Sequence, residues 1–147
     1  MFKNRKGFTL IELLVVIGIL AVLLAITLIA VNPAQNLQDA DDTKRRSDVN
    51  AILNAVNQYM VDNNGVAPTG VDATPTAIAT TGRDICLLIV PTYIAALPQD
   101  PASNNGADIS AADCAAAYDS GYEISATANR ISVNAPSANT GTITVTR

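Results

Sequence analysis

Apolar and polar positions fall into three successive patterns along the chain. From Leu13 to Val31 nineteen residues run without a charge. As a helix rising about 1.5 Å per residue they span roughly 28 Å, close to the thickness of a bilayer's hydrocarbon core. Ala34–Asn63 reads as a second helical stretch. In it Val49, Ile52, Leu53, Val56, Tyr59 and Met60 recur at i, i+3, i+4 and i+7, one apolar stripe. Asn32-Pro33 marks a break or kink before it, and Asn64-Gly65 a stop after it. Beyond Gly65 the period changes to two. Tyr122, Ile124 and Ala126 alternate with polar residues over Gly121–Thr127. Ile131, Val133 and Ala135 do so over Arg130–Ala135, and Ile143 and Val145 over Thr142–Thr146. Three strands are expected, the first two joined by a turn at Ala128-Asn129. Val66–Thr81, with Pro68 and Pro75, reads as a connecting loop. Ile85–Leu97 reads as short helical turns or a strand plus turn, Pro101–Asp108 as a polar loop, and Ile109–Tyr118 as one or two helical turns. The expected fold class is α+β, a helix packed on a small antiparallel sheet.

Composition sharpens this picture. The mean hydropathy of the 147 residues is +0.26, and much of it comes from the apolar run. The remainder is rich in Ala, Thr, Asn, Asp and Ser, with no Trp or His, so its core is thin. Net charge is −4, and −7 once Lys3, Arg5 and Lys6 are set aside. Such a balance disfavours non-specific nucleic-acid binding, which rests on Lys and Arg displacing counterions. The cluster Lys44-Arg45-Arg46 lies among Asp39, Asp41, Asp42 and Asp48. It reads as a solvated face with local pairs such as Asp41/Arg45 and Asp42/Arg46, or as a source of salt bridges between subunits. No specific nucleic-acid site is evident. Without His there is no His-based triad. No glycine-rich phosphate loop, GxSxG elbow or paired-carboxylate signature appears either, so catalysis is not expected.

Glu12 sits at the front of the apolar run, where a charge is expensive unless partnered. A basic leader precedes it. The run is longer than a secretory h-region and no small-x-small cleavage pattern closes it. The bland reading is a signal anchor or signal peptide.

The stretch Lys6-Gly7-Phe8-Thr9-Leu10-Ile11-Glu12-Leu13-Leu14-Val15-Val16-Ile17 resembles the N-terminal methylation motif of type IV prepilins and type II secretion pseudopilins. The resemblance implies that a prepilin peptidase cuts between Gly7 and Phe8 and methylates the new Phe8 amine. It implies that Glu12 then pairs with the Phe8 amine of a neighbouring subunit. The apolar helix is implied to anchor the subunit in the membrane first and to form the filament core afterwards. Many family members carry a proline near the end of that helix. Ile29 stands at roughly that place here, with Pro33 about one turn later and Gly18 as a second weak point.

The division expected is therefore leader 1–7, membrane and polymerisation helix 8–31, amphipathic second half 32–64 and globular head 65–147. The family resemblance implies the pilin fold, a long helix against a β-meander. The run from Tyr93 to Pro101, with Gly121-Tyr122 and Arg130-Ile131, resembles pilin heads less specifically. Cys86 and Cys114 are two buried free thiols or, in an exported chain with a thin core, a disulfide; the disulfide is the favoured reading. Some secretion pseudopilins bind calcium in a loop near Asp100–Asp108, which makes Asp100, Asn104 and Asp108 weak calcium candidates. Asn, Asp and Gly are equally ordinary turn residues, and the run lacks EF-hand spacing. No other cofactor or metal is expected.

The reading reached is a structural subunit of a type IV pilus-like filament, homo-polymeric and handled by membrane assembly machinery. It begins as a single-pass precursor in the cytoplasmic membrane and ends as a surface filament. The alternatives are a type II secretion pseudopilin and, from another class, a membrane-anchored extracellular binding domain that never polymerises.

Overall fold

A run that is apolar on every side has no face to prefer, and the structure treats it accordingly. In the computed structural model, which describes residues 7–128 and 130–147, helix α1 spans Leu10–Val31 and buries none of its side chains. The leader residues 1–6 and the turn residue Asn129 lie outside the described residues. Length and composition suffice for α1 to cross a membrane. It runs unbroken through Gly18.

The break falls at Asn32, at φ 34° and ψ 74°. Asparagine tolerates this left-handed conformation better than most residues. Pro33 then opens helix α2, Pro33–Asp62, at the position where its missing N–H costs nothing. Asn36 donates from Nδ2 to the Val31 carbonyl at 2.9 Å, which occupies one orphan acceptor at the end of α1.

The chain forms two compact units, one ending at Leu37 and the other spanning Gln38–Arg147. The second is the head. Its sheet has four antiparallel strands in the order β1 (Thr76–Ala79), β2 (Asp119–Thr127), β3 (Arg130–Ala135) and β4 (Ile143–Thr146). The three expected strands are there. Strand β1 corrects the reading of Val66–Thr81 as loop throughout. Thr-Ala-Ile-Ala has a single large apolar side chain and follows a proline, so it carries no visible alternation. It is held from outside by pairing with β2, with a register shift between Ala77 and Ala79.

The rest of the head follows from short local signals. Helix α3, Cys86–Ile89, is a single turn. A 3-10 turn at Asp113–Ala115 is the helical content of Ile109–Tyr118, and another occupies Asn104–Gly106. Leu97 and Ile109 exchange two backbone hydrogen bonds of 2.8 Å. Cys86 and Cys114 form a disulfide.

The stripe on α2 does what its spacing requires. Val49, Ile52, Leu53 and Val56 are wholly buried in one cluster with Ile78, Tyr122, Ile124, Ile131, Val133 and Ile143. Tyr59 and Met60 pack at its margin, with the Tyr59 ring edge-on to Tyr93 at 5.9 Å. Leu53→Ala removes a fully enclosed side chain and is expected to cost about 2–5 kcal/mol. Replacing both cysteines by Ala is expected to cost about 2–4 kcal/mol. Urea unfolding of the head, followed by circular dichroism, checks both values.

Candidate functional site

Two polar constellations stand out, one at each end of the apolar segment's neighbourhood in sequence. The first is the start of α1. Thr9 is its N-cap, extended at φ −82° and ψ 154°. Its hydroxyl accepts from the Glu12 N–H at 3.3 Å. In return its own N–H and hydroxyl donate to Glu12 Oε2 at 2.8 and 2.7 Å. This is a capping box, which satisfies helix-end donors reciprocally. The Thr9-x-x-Glu12 spacing is its signal in the sequence, and Thr9 is a functional candidate that a focus on the lone carboxylate leaves out.

Glu12 is thus partnered within its own chain through one oxygen. Its Oε1 accepts nothing among the described residues. Phe8, at 83 % exposure, precedes the cap, and Gly7 is exposed beside it. The Phe8 nitrogen and the Glu12 carboxylate therefore lie within one helical turn of sequence, in reach of other chains.

The second constellation lies in the head, on the part of α2 that the sequence presents as polar on nearly all faces. Three of those polar residues, Asp42, Arg45 and Asp48, are buried. Arg45 is 2 % exposed, Asp42 3 % and, from the loop after Leu97, Asp100 1 %. Arg45 donates from Nε and Nη2 to the two Asp100 oxygens at 2.8 and 2.9 Å, and from Nη1 to Asp42 Oδ1 at 2.9 Å. Asp42 also accepts from the backbone N–H groups of Asn139 and Thr140 and from the Thr140 hydroxyl, at 2.9, 3.0 and 2.7 Å. Lys44 meets Asp48 at 2.7 Å, and the buried Tyr122 hydroxyl donates to the same Asp48 oxygen at 2.7 Å.

The local pairs expected on α2 are corrected accordingly. Arg45 pairs with Asp42 and Asp100 instead of Asp41. Asp42 pairs with Arg45 instead of Arg46, which is exposed. The solvated-face reading fails for Asp42, Arg45 and Asp48, since each also has a partner more than fifty residues away in sequence, at Asn139 and Thr140, Asp100 and Tyr122 respectively. With Arg45 enclosed and Lys44 turned to Asp48, the basic cluster offers no free run of cations to a phosphate backbone.

Electrostatics reinforce the fork. Burial works to raise the Asp42 carboxyl, but the donors from Asn139, Thr140 and Arg45 outweigh it and hold it well below the usual carboxylate range. Asp100 behaves alike: burial opposes ionisation, Arg45 and the Ala102 N–H favour it, and the net direction is down. Arg45 is raised, chiefly by Asp100. Tyr122 is pushed up by burial and by donating to Asp48.

The oxygen-rich loop does not fit calcium. Asp100 spends both oxygens on Arg45, and Asn104 and Asp108 are exposed. Among the described residues no group of three or more His, Cys, Asp or Glu side chains is placed to hold a metal. Asp100 is an ion-pair partner of Arg45.

An apolar helix long enough to cross a membrane and opened by a Thr9–Glu12 capping box, with a second helix packed on a four-stranded antiparallel sheet, defines a helix-on-meander class. Residues 2–28 match the family model described as the prokaryotic N-terminal methylation motif. The type II secretion system core protein G of Aeromonas hydrophila is 39 % identical over 109 residues, covering 69 % of this chain and 71 % of that protein. Its counterpart in Vibrio cholerae serotype O1 is 36 % identical over 106 residues, 70 % of this chain and 69 % of that protein. The type IV wide pilus major component PilA4 of Thermus thermophilus is 30 % identical over 98 residues, 58 % of this chain and 73 % of that protein. No solved structure gives a significant match. The chain belongs to the family of type IV pilins and type II secretion pseudopilins. It is a structural subunit and not an enzyme.

The depressed carboxyls fix a pH dependence. A group whose native pKa lies below its unfolded value of about 4 contributes fully above that value. The contribution is lost as pH falls further toward the native pKa. Asp42→Asn is expected to destabilise the head at neutral pH, by up to the roughly 3–5 kcal/mol typical of a broken buried pair. Its deficit relative to the native sequence is expected to shrink below about pH 4. Melting curves of both proteins across that range check the sign.

Proposed function

We propose that the chain is a type II secretion pseudopilin of the core protein G kind. The supporting observation is that its 39 % identity to the Aeromonas protein extends over 109 residues, far beyond the methylation motif and into the head. In this reading the precursor sits in the cytoplasmic membrane through α1 with its head outside the cytoplasm. The prepilin peptidase cuts between Gly7 and Phe8 and methylates the Phe8 amine. Residues 8–31 then pass from lipid into the core of a homo-polymer, a pseudopilus built by membrane assembly machinery. Residues 32–64 carry the head, 65–147, on its outside.

The chemistry of the terminus supports that sequence of steps. A chain wholly apolar around its axis trades lipid for neighbouring copies at little cost. A freed, cationic Phe8 amine is the natural partner for the open Oε1 of Glu12 on an adjacent copy. In a medium of low dielectric such a pair sets register strongly. The Thr9 cap holds Glu12 until then.

A second reading, the surface pilus subunit, draws on the Thermus relative. It keeps the same processing and assembly and changes the length and location of the polymer.

Mass spectrometry of the mature chain is expected to show methylated Phe8 at its N-terminus; an intact leader in assembled material rejects the processing. Glu12→Ala is expected to leave insertion and cleavage intact while polymer yield falls by at least about tenfold, as loss of even a 1.4 kcal/mol contact dictates. Normal polymers from that variant reject the pairing role. Deletion of the chain's gene is expected to stop secretion of folded exoproteins; loss of long surface fibres with secretion intact selects the pilus instead.

A further inference from the structure

The segment Gln99–Asp108 is rich in oxygen ligands, and the surrounding residues decide what they bind. We infer that Lys44 and Arg45 are the resident cations of this loop, so that it folds around the chain's own side-chain charges and takes up no divalent ion. The inference stands apart from the choice between pseudopilin and pilus.

Three sets of observations carry it. The first is occupancy of the oxygens. Arg45 takes both Asp100 oxygens, and the Ala102 N–H adds a third bond, 2.8 Å, to Oδ1. The Lys44 ammonium lies between Asp48 Oδ2 at 2.7 Å and the Gln99 carbonyl at 3.1 Å, the kind of oxygen pair a metal ion takes. Hard cations of calcium's class need six to eight such oxygens. Gln99 Oε1 is buried without a partner, but its own amide nitrogen donates to the Asp119 carbonyl at 2.8 Å, and it offers one neutral ligand.

The second is charge. Two cations, Lys44 and Arg45, face three carboxylates, Asp42, Asp48 and Asp100. The excess negative charge is met by neutral donors, Tyr122 on Asp48 and Asn139 with Thr140 on Asp42. A divalent ion entering here lands beside a fixed guanidinium and an ammonium, and like charges at such range repel strongly when partly buried.

The third is shape. Gly106, at φ 65°, lets the loop close on the Lys44 stem: a Cβ there meets Pro101 Cα at 3.2 Å and Lys44 Cε at 3.5 Å. Gly121, at φ 75°, sits under Asp100, where a Cβ meets the Asp100 Cβ at 2.7 Å. Both glycines permit the backbone to wrap the two side-chain cations, and both positions are ones that other residues adopt only under strain.

The test uses the full mature chain in detergent. Melting is followed with excess chelator and then with millimolar calcium, and terbium luminescence sensitised by Tyr122 is titrated in parallel. The expected result is one melting temperature in both buffers and no saturable terbium signal. Calcium bound at a hundred times its Kd raises the melting temperature by roughly 10 °C in a head of this size. Such a calcium-dependent rise, or saturable terbium luminescence that calcium displaces, overturns the inference. Both readouts are of the subunit alone, so they are independent of whether it polymerises.

Discussion

The head depends on one guanidinium. Arg45 projects from α2 between two carboxylates that arrive from different parts of the chain, and a planar fork is the side chain suited to hold both. Asp42 reaches on to the loop at Asn139 and Thr140, while Asp100 brings in the loop after Leu97. The polar end of α2 is therefore tied to two loops, to one by an ion pair and to the other by neutral donors on a carboxylate. Its apolar end is tied to the sheet by Val49, Ile52, Leu53 and Val56. Buried ions are poor sources of net stability compared with packed apolar groups, but they punish misplacement severely. In a head with few aromatics and a thin core, that penalty fixes which loop lies where.

The same logic of provisional satisfaction governs the other end. Glu12 is an expense inside an apolar segment, and the Thr9 cap meets it with two donors from its own chain, while its other oxygen accepts nothing among the described residues. In the assembly proposed above, a subunit that first resides in lipid and later binds copies of itself needs a polar group that is tolerable alone and better in company. The capping box supplies the first condition without using up the second.

The sequence showed the long-range plan well where a repeating pattern carried it. The apolar run, the α2 stripe and strands β2, β3 and β4 all have a period, and the structure follows each. The break at Asn32-Pro33 was equally visible, because proline and a left-handed asparagine act locally. The disulfide followed from composition and compartment. Strand β1 was not visible, since four residues with one large side chain have no period and depend on β2 for their shape. The Arg45 fork was hidden for a related reason. Helix spacing shows Asp41 and Asp42 as candidate partners, but nothing in the neighbourhood of Lys44-Arg45-Arg46 announces an aspartate fifty-five residues on. The capping box lay in plain view at Thr9 and Glu12, outweighed by the rarity of a carboxylate in apolar surroundings.

The Cys86–Cys114 bond closes a covalent ring, and Asp100 lies inside it while Arg45 does not. Opening the ring gives the chain between the two cysteines more freedom when unfolded and leaves that loop to the Arg45 ion pair and its backbone hydrogen bonds. Acid weakens that same ion pair by protonating Asp100. Reductant and acid are thus two routes to one part of the head, and their combined damage departs from the sum of each taken singly. A compartment that is both oxidising and near neutral guards the same loop twice.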